Sequence, residues 1–249
     1  YVDFKLLYAT LSVEPDSSTV YGQVKVKFEI LKDVDSVFID AIDMKFDFLG
    51  DPNQGVKFNY DGKKLWIISD FQSNKEYAVF FNYEAQPRKA LYFTKVNVDD
   101  QIWTQGQGKY TSNWLPSIDD VNDKIEFDLS ITYENGYEVL ANGKLIDKEI
   151  GEGFTKWHYD MQKPMSSYLV ALVIGKCNKK TETSNRGIPL EYYYYPGDSL
   201  RLEPTYRYSK QMFDFLEEEI GFPYPWQNYK QVPVKDFLYS GMENTSLTI

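Results

Sequence analysis

From Tyr21 to Ile30 the chain alternates, with Val24, Val26, Phe28 and Ile30 on one side and Lys25, Lys27 and Glu29 on the other. Lys124–Tyr133 repeats the pattern with Ile125, Phe127, Leu129, Ile131 and Tyr133. Alternation with a period of two predicts half-buried antiparallel strands. Met44, Phe46 and Phe48, then Tyr77, Val79, Phe81 and Tyr83, add further strands. Asp61-Gly62 falls between two such runs and predicts a hairpin turn; Asn135-Gly136 and Asn142-Gly143 predict two more. Ser167–Ile174, "SYLVALVI", is continuously apolar and fits a strand buried on both faces, with a helix as the alternative. From Tyr1 to Arg186 the expectation is an antiparallel β-sandwich.

The pattern then changes. Thr181–Gly187, "TETSNRG", is polar and suits a linker, followed by one strand in "IPLEYYYYP". Between Pro204 and Ile220, the residues Tyr206, Phe213, Leu216 and Ile220 recur at helical spacing, with Glu217-Glu218-Glu219 mostly outside. Gly221 closes that helix, and Pro223 and Pro225 prevent its continuation. A strand over Tyr229–Val234 and a last one over Tyr239–Ile249 complete the chain. These elements are too few for a core of their own. Residues 187–249 are therefore expected to open a second domain, and the chain to be the N-terminal piece of a longer protein.

Charge narrows the partners. With 27 Lys and Arg against 37 Asp and Glu, the net charge is −10, which argues against nucleic acid or an anionic membrane surface. No apolar run approaches membrane-spanning length. The single Cys177 forms no internal disulfide, leaves the compartment open, and is expected to be an inert packing residue. His158, the only histidine, sits in "TKWHYDM", where Trp157 and Tyr159 share one face and His158 the wet one. One imidazole and one thiol far apart in sequence do not make a zinc site, so no metal is expected in this chain. "QGQGKYTSN" lacks the Gly-Lys-Ser/Thr order of a phosphate loop.

Two stretches carry more specific character, "WTQGQGKYTSNWLPSIDD" and "FLYSGMEN". With the helix between them they resemble the zinc aminopeptidases of the aminopeptidase N and leukotriene hydrolase type. Gly241-Met242-Glu243-Asn244, after Ser240, resembles that family's exopeptidase signature G-x-M-E-N. Ile220-Gly221-Phe222-Pro223-Tyr224-Pro225 and Asp236-Phe237 match the segments that precede it. Thr104-Gln105-Gly106-Gln107, Leu115-Pro116, Asp119 and Lys124 match an upstream motif with its spacing intact. The chain departs from the pattern where Ser112 replaces an Arg, Val121 a Pro, Asn228 a Lys and Lys230 an Asp.

The resemblance implies a saddle-like β-sandwich over residues 1–186 and, over 187–249, the truncated start of an α+β thermolysin-like catalytic domain. It implies zinc in the full-length protein, held by an H-E-x-x-H motif and a distant Glu downstream of the signature. The implied substrate is a peptide with a free N-terminus. Glu243 would be the carboxylate that receives the substrate ammonium, Gln107 the second amine-binding position, and Gln105 a wall of the first side-chain pocket. Gly241 and Met242 would offer an edge to extended substrate backbone, with Asn244 completing the signature. Taken alone, the chain is expected to be inactive. The alternative is a relative without catalysis that serves as a protein-interaction scaffold.

Overall fold

A computed structural model of the chain describes residues 1–50 and 55–249. The fold is mainly β, arranged in three layers. The first layer is a large sheet in which Lys144–Ile150, Phe154–Asp160, Lys124–Glu134, Val2–Glu14, Thr19–Ile30, Lys75–Ala85 and Met44–Gly50 lie side by side. Its pairings are antiparallel except one: Val2–Glu14 runs parallel to Lys124–Glu134, with Leu7 opposite Phe127. The purely antiparallel expectation fails there because the two strands are far apart in sequence and no tight turn dictates their direction. The side chain of Phe48 lies outside the described ones.

The second layer consists of two smaller sheets that cover the apolar face of the first. One contains Val34–Asp40, Lys64–Phe71 and Lys57–Tyr60; the other, the inner sheet, contains Glu138–Ala141, Leu172–Gly175, Asp99–Thr104 and Leu91–Val96. Phe28, Val26, Phe81, Phe127 and Ile131 from the large sheet meet Ile39, Ile67, Ile102, Val139 and Ile174 in one continuous core. Each of these side chains is almost wholly withdrawn from water, worth about 1.5–3 kcal/mol apiece before entropy is counted. The alternating positions of the sequence are the ones that fill this core, so the sandwich follows from period-two patterning.

The turns depart from expectation in an informative way. Asp61-Gly62 makes its hairpin, with the Asp61 carboxylate accepting from the Lys63 and Lys64 amides. Asn135-Gly136 and Asn142-Gly143 do not form hairpins. The first carries the chain from the large sheet into the inner sheet, and the second carries it back. Both glycines have a positive φ, 90° and 79°, so the local turn chemistry was legible although the destination was not. Ser167–Ile174 is not one strand: Ser167–Leu169 is a 3₁₀ turn and the strand is confined to Leu172–Gly175. The Ala171 amide is taken out of any ladder by the Asn142 side chain, at 2.6 Å.

The third layer is a four-stranded sheet of Asn178–Thr183, Pro189–Tyr194, Tyr229–Gln231 and Leu247–Thr248. Thr181–Gly187, expected as a linker, instead ends one strand and forms the turn of a hairpin, so this sheet straddles the expected boundary at 186. Only Leu247–Thr248 of the expected strand Tyr239–Ile249 is extended. The helical stretch divides into Ser199–Tyr206 and Ser209–Ile220, the latter closed by Gly221 in the left-handed conformation. Tyr206 and Phe213 are half-buried and Glu218 and Glu219 exposed, as expected, but the buried residues of this second helix are Asp214 and Glu217, while Leu216 and Ile220 are exposed, against expectation. The carboxylates face inward because each caps a backbone amide: Asp214 accepts from Asn185, and Glu217 accepts from Tyr224. No helix among the described residues is long and apolar enough to cross a membrane.

One strand position is fixed by a close approach. Gly22 lies opposite Tyr83, whose ring would stand 2.1 Å from a Cβ at position 22. The missing side chain lets the buried Tyr83 cross over the strand and donate to the Trp114 carbonyl at 2.8 Å, anchoring the loop that follows Gln105 and Gln107. Tyr83→Phe should leave that carbonyl unpartnered and cost about 1–3 kcal/mol, and Gly22→Ala should cost at least as much through overpacking. Urea denaturation checks both; a wild-type midpoint for Tyr83→Phe would mean the bond contributes nothing.

Candidate functional site

The inner sheet presents apolar side chains on both faces, and the candidate site assembles beside its outer face. Trp103, Leu140 and Val173 on that face, with Ala171 just before its strand, pack against Tyr193, Val232, Leu247 and Ile249 of the third layer. Tyr92 stacks on Trp103 at 4.4 Å, and Phe237 covers the same indole at 5.0 Å. Cys177 packs against this cluster, where burial pushes its thiol up to about 12, in keeping with an inert residue.

Docking of these layers brings the two sequence motifs together. Gln105 follows directly from the strand Asp99–Thr104, and its amide is tied to the Ala90 carbonyl at 2.7 Å. Its buried side chain reaches Gln107 at 3.4 Å and the Met242 sulfur at 3.8 Å, although Met242 is 137 residues away in sequence. Gly106 permits this path, since a Cβ there would stand 2.6 Å from the Thr111 hydroxyl and 2.7 Å from the Tyr168 carbonyl. Met242 is buried, and its amide and carbonyl exchange hydrogen bonds with Ile249 at 2.7 and 3.0 Å. Its main chain is thus used internally, leaving exposed Gly241 as the free part of the edge assigned to both residues. Glu243 and Gln107 are exposed beside this contact. Asn244 is buried, and neither atom of its side-chain amide has a partner among the described residues.

A polar seam locks the signature onto the sandwich. Asn142, in the turn Ala141–Gly143, donates to the Leu169 carbonyl at 2.9 Å and to the Thr245 carbonyl at 2.6 Å while accepting from Ala171. The Gly143 amide donates to the Ser246 hydroxyl at 2.7 Å. Lys230 donates to the carbonyls of Ala141 and Gly143 at 2.9 and 2.5 Å. Asn142, Thr245 and Ser246 were not singled out by the sequence; Asn-Gly announced a turn, and nothing in it announced burial.

His158 lies on the strand Phe154–Asp160, half-buried, with Nε2 2.7 Å from an Asp128 oxygen. Among the described residues no group of three or more His, Cys, Asp or Glu side chains is arranged to hold a metal ion.

The family model described as the Peptidase M1 N-terminal domain matches residues 5–169, and that of the Peptidase family M1 domain matches residues 205–249. The chain belongs to peptidase family M1. Similar M1 relatives include the glutamyl aminopeptidase of Bos taurus, 29% identical over 134 residues, and the aminopeptidase A of Gloydius brevicauda, 31% identical over 135. Each match covers 53% of this chain and 14% of the relative. A probable aminopeptidase 1 of Sulfurisphaera tokodaii is 24% identical over 226 residues, covering 90% of this chain and 28% of the relative. The matched residues thus span 14% to 28% of the length of these relatives.

Asn142→Ala should strand the Ala171 amide and two carbonyls, at about 1–3 kcal/mol for each buried group left unpaired and at least about 2 kcal/mol in all. Thermal denaturation measures it. A loss under about 0.5 kcal/mol would show that the seam does not hold the signature.

Proposed function

We propose that this chain provides the α-amine recognition surface of a zinc-dependent aminopeptidase that removes N-terminal residues from peptides. The observation that carries the reading is the contact between Gln105 and Met242, which joins two distant motifs beside Glu243 and Gln107. The aminopeptidase names of the M1 relatives support it. An exopeptidase must select a chain end, and at neutral pH that end is an ammonium. Glu243 accepts a charge-assisted hydrogen bond from it, and Gln107 supplies a neutral amide oxygen nearby. Gln105 and Met242 wall the first side-chain pocket. Gly241, without a side chain, lets extended substrate backbone approach. The zinc and its ligands belong to sequence beyond this chain, so residues 1–249 alone are inactive in this reading.

Exposure sets a limit on the selectivity. An ion pair open to water is worth only about 0–1 kcal/mol, whereas a charged hydrogen bond shielded from water is worth about 1.5–3 kcal/mol. Glu243 must therefore be covered, by substrate and by the remaining protein, when it acts. In the full-length enzyme, Glu243→Gln keeps the shape and removes the anion. Efficiency on a peptide with a free N-terminus should fall by roughly one to two decades, while the N-acetylated version changes little. Gln107→Ala should weaken the same free peptides by less. Equal losses on the free and acetylated peptides would make Glu243 structural and remove the basis of the proposal.

A further inference from the structure

Lys230 is 1% exposed, and no carboxylate lies within ion-pairing distance of it among the described residues. Among the described residues its ammonium has only the carbonyl oxygens of Ala141 and Gly143 as hydrogen-bond partners, with the Tyr159 ring centroid 5.1 Å away. Glu191 is its register neighbour on the adjoining strand, but that carboxylate is engaged by Lys179 at 3.0 Å and by the Tyr193 hydroxyl at 2.9 Å. The same residue closes a ring of bonds. Its amide donates to the Ser246 carbonyl, the Ser246 hydroxyl accepts from Gly143, and Asn142 of the same turn holds the Thr245 carbonyl. Ser246 has a φ of 61°, a left-handed conformation that a serine keeps only where its surroundings enforce it. Thr245 and Ser246 follow Glu243-Asn244 directly, so whatever loosens this ring loosens the seat of the signature.

We propose that Lys230 is a proton-sensitive clasp that positions Met242–Asn244: a proton bound at this buried amine favours opening of the junction between the third sheet and the Ala141–Gly143 turn, and its release tightens that junction. A buried ammonium held by dipoles alone bears a desolvation cost that two carbonyls do not offset. Burial accordingly lowers the Lys230 amine from its ordinary 10.5 to about 7; Glu191 favours the charged form and Lys179 opposes it. Tyr159, whose ring faces it, and Tyr193, which donates to Glu191, are pushed upward by burial and stay protonated through the neutral range. In the opened junction Lys230 meets water and regains its ordinary affinity for protons. Between pH 7 and 10.5 the open form therefore binds more protons than the closed one, so raising the pH favours closure by up to about tenfold per pH unit. Below pH 7 both forms are charged, the closed form carries the whole cost, and the dependence flattens. The inference rests on the junction alone and is independent of the reaction proposed above.

Hydrogen exchange between pH 6 and 9, corrected for intrinsic rates, tests it without any substrate. Protection of the Lys230, Met242, Leu247 and Ile249 amides should rise above pH 7, approaching tenfold per unit, while strand Thr19–Ile30 stays flat. Lys230→Met, which fills the space without a titrating amine, should abolish the slope. The inference is overturned if the wild-type junction shows no slope, if the reference strand shows the same slope, or if the slope survives in Lys230→Met. Should that variant not fold, the wild-type slope and its confinement to the junction decide the matter.

Discussion

Everything at the candidate site depends on the inner sheet being apolar on both faces. Its first face closes the sandwich; its second, with Trp103, Leu140 and Val173, leaves a hydrophobic surface that one sandwich cannot bury. Tyr193, Val232 and Leu247 of the third layer cover it. Water would otherwise meet several large side chains, each worth about 1.5–3 kcal/mol when buried, so docking is a requirement of folding. The contact between Met242 and Gln105 is a consequence of that docking. The motif residues are thus placed by hydrophobic burial, and the polar seam through Asn142, Lys230 and Ser246 fixes the register in which the layers meet.

The seam also illustrates how uneven polar bonding can be in one interface. Asn142 uses its amide fully, with two donors and one acceptor engaged, and so adds order to the junction. Asn244, two residues from Ser246, is buried with its amide unengaged among the described residues. Buried amides are costly in that condition. Lys230 stands between these cases: its hydrogen bonds are made, but its charge is not neutralised.

Much of the architecture was legible because strands bury every second residue. Val24, Val26, Phe28 and Ile30 were readable as one face, and all four are in the core. Ser167–Ile174 showed its apolar character but not its break, because the 3₁₀ turn depends on Asn142, a residue 25 or more positions earlier in the chain. Val2–Glu14 could not reveal a parallel partner, since partner choice is set by packing of the whole sheet. The helix Ser209–Ile220 was legible at Phe213, Glu218 and Glu219 but not at Asp214 and Glu217, which turn inward to accept from the Asn185 and Tyr224 amides. Of the site, the motif residues were legible through resemblance to peptidase family M1, and the contact between Gln105 and Met242 was not. Lys230 was visible only as a departure from the family pattern, since a lysine in a strand ordinarily marks the wet face, whereas here it shares the buried side with Val232.

The account stands or falls on whether the signature rests against Gln105. The chain contains 5 methionines, so selective labelling of their methyl groups gives a readable spectrum. The account predicts a nuclear Overhauser contact between the Met242 methyl and the Gln105 side-chain amide, whose nitrogen is 3.8 Å from the sulfur. That contact should disappear in Leu247→Asp, which places a charge in the apolar cluster around Trp103, while the contacts of Met44 and Met165 inside the sandwich remain. A wild-type spectrum without the contact between Met242 and Gln105 would contradict the claim that burial of the inner sheet assembles the site.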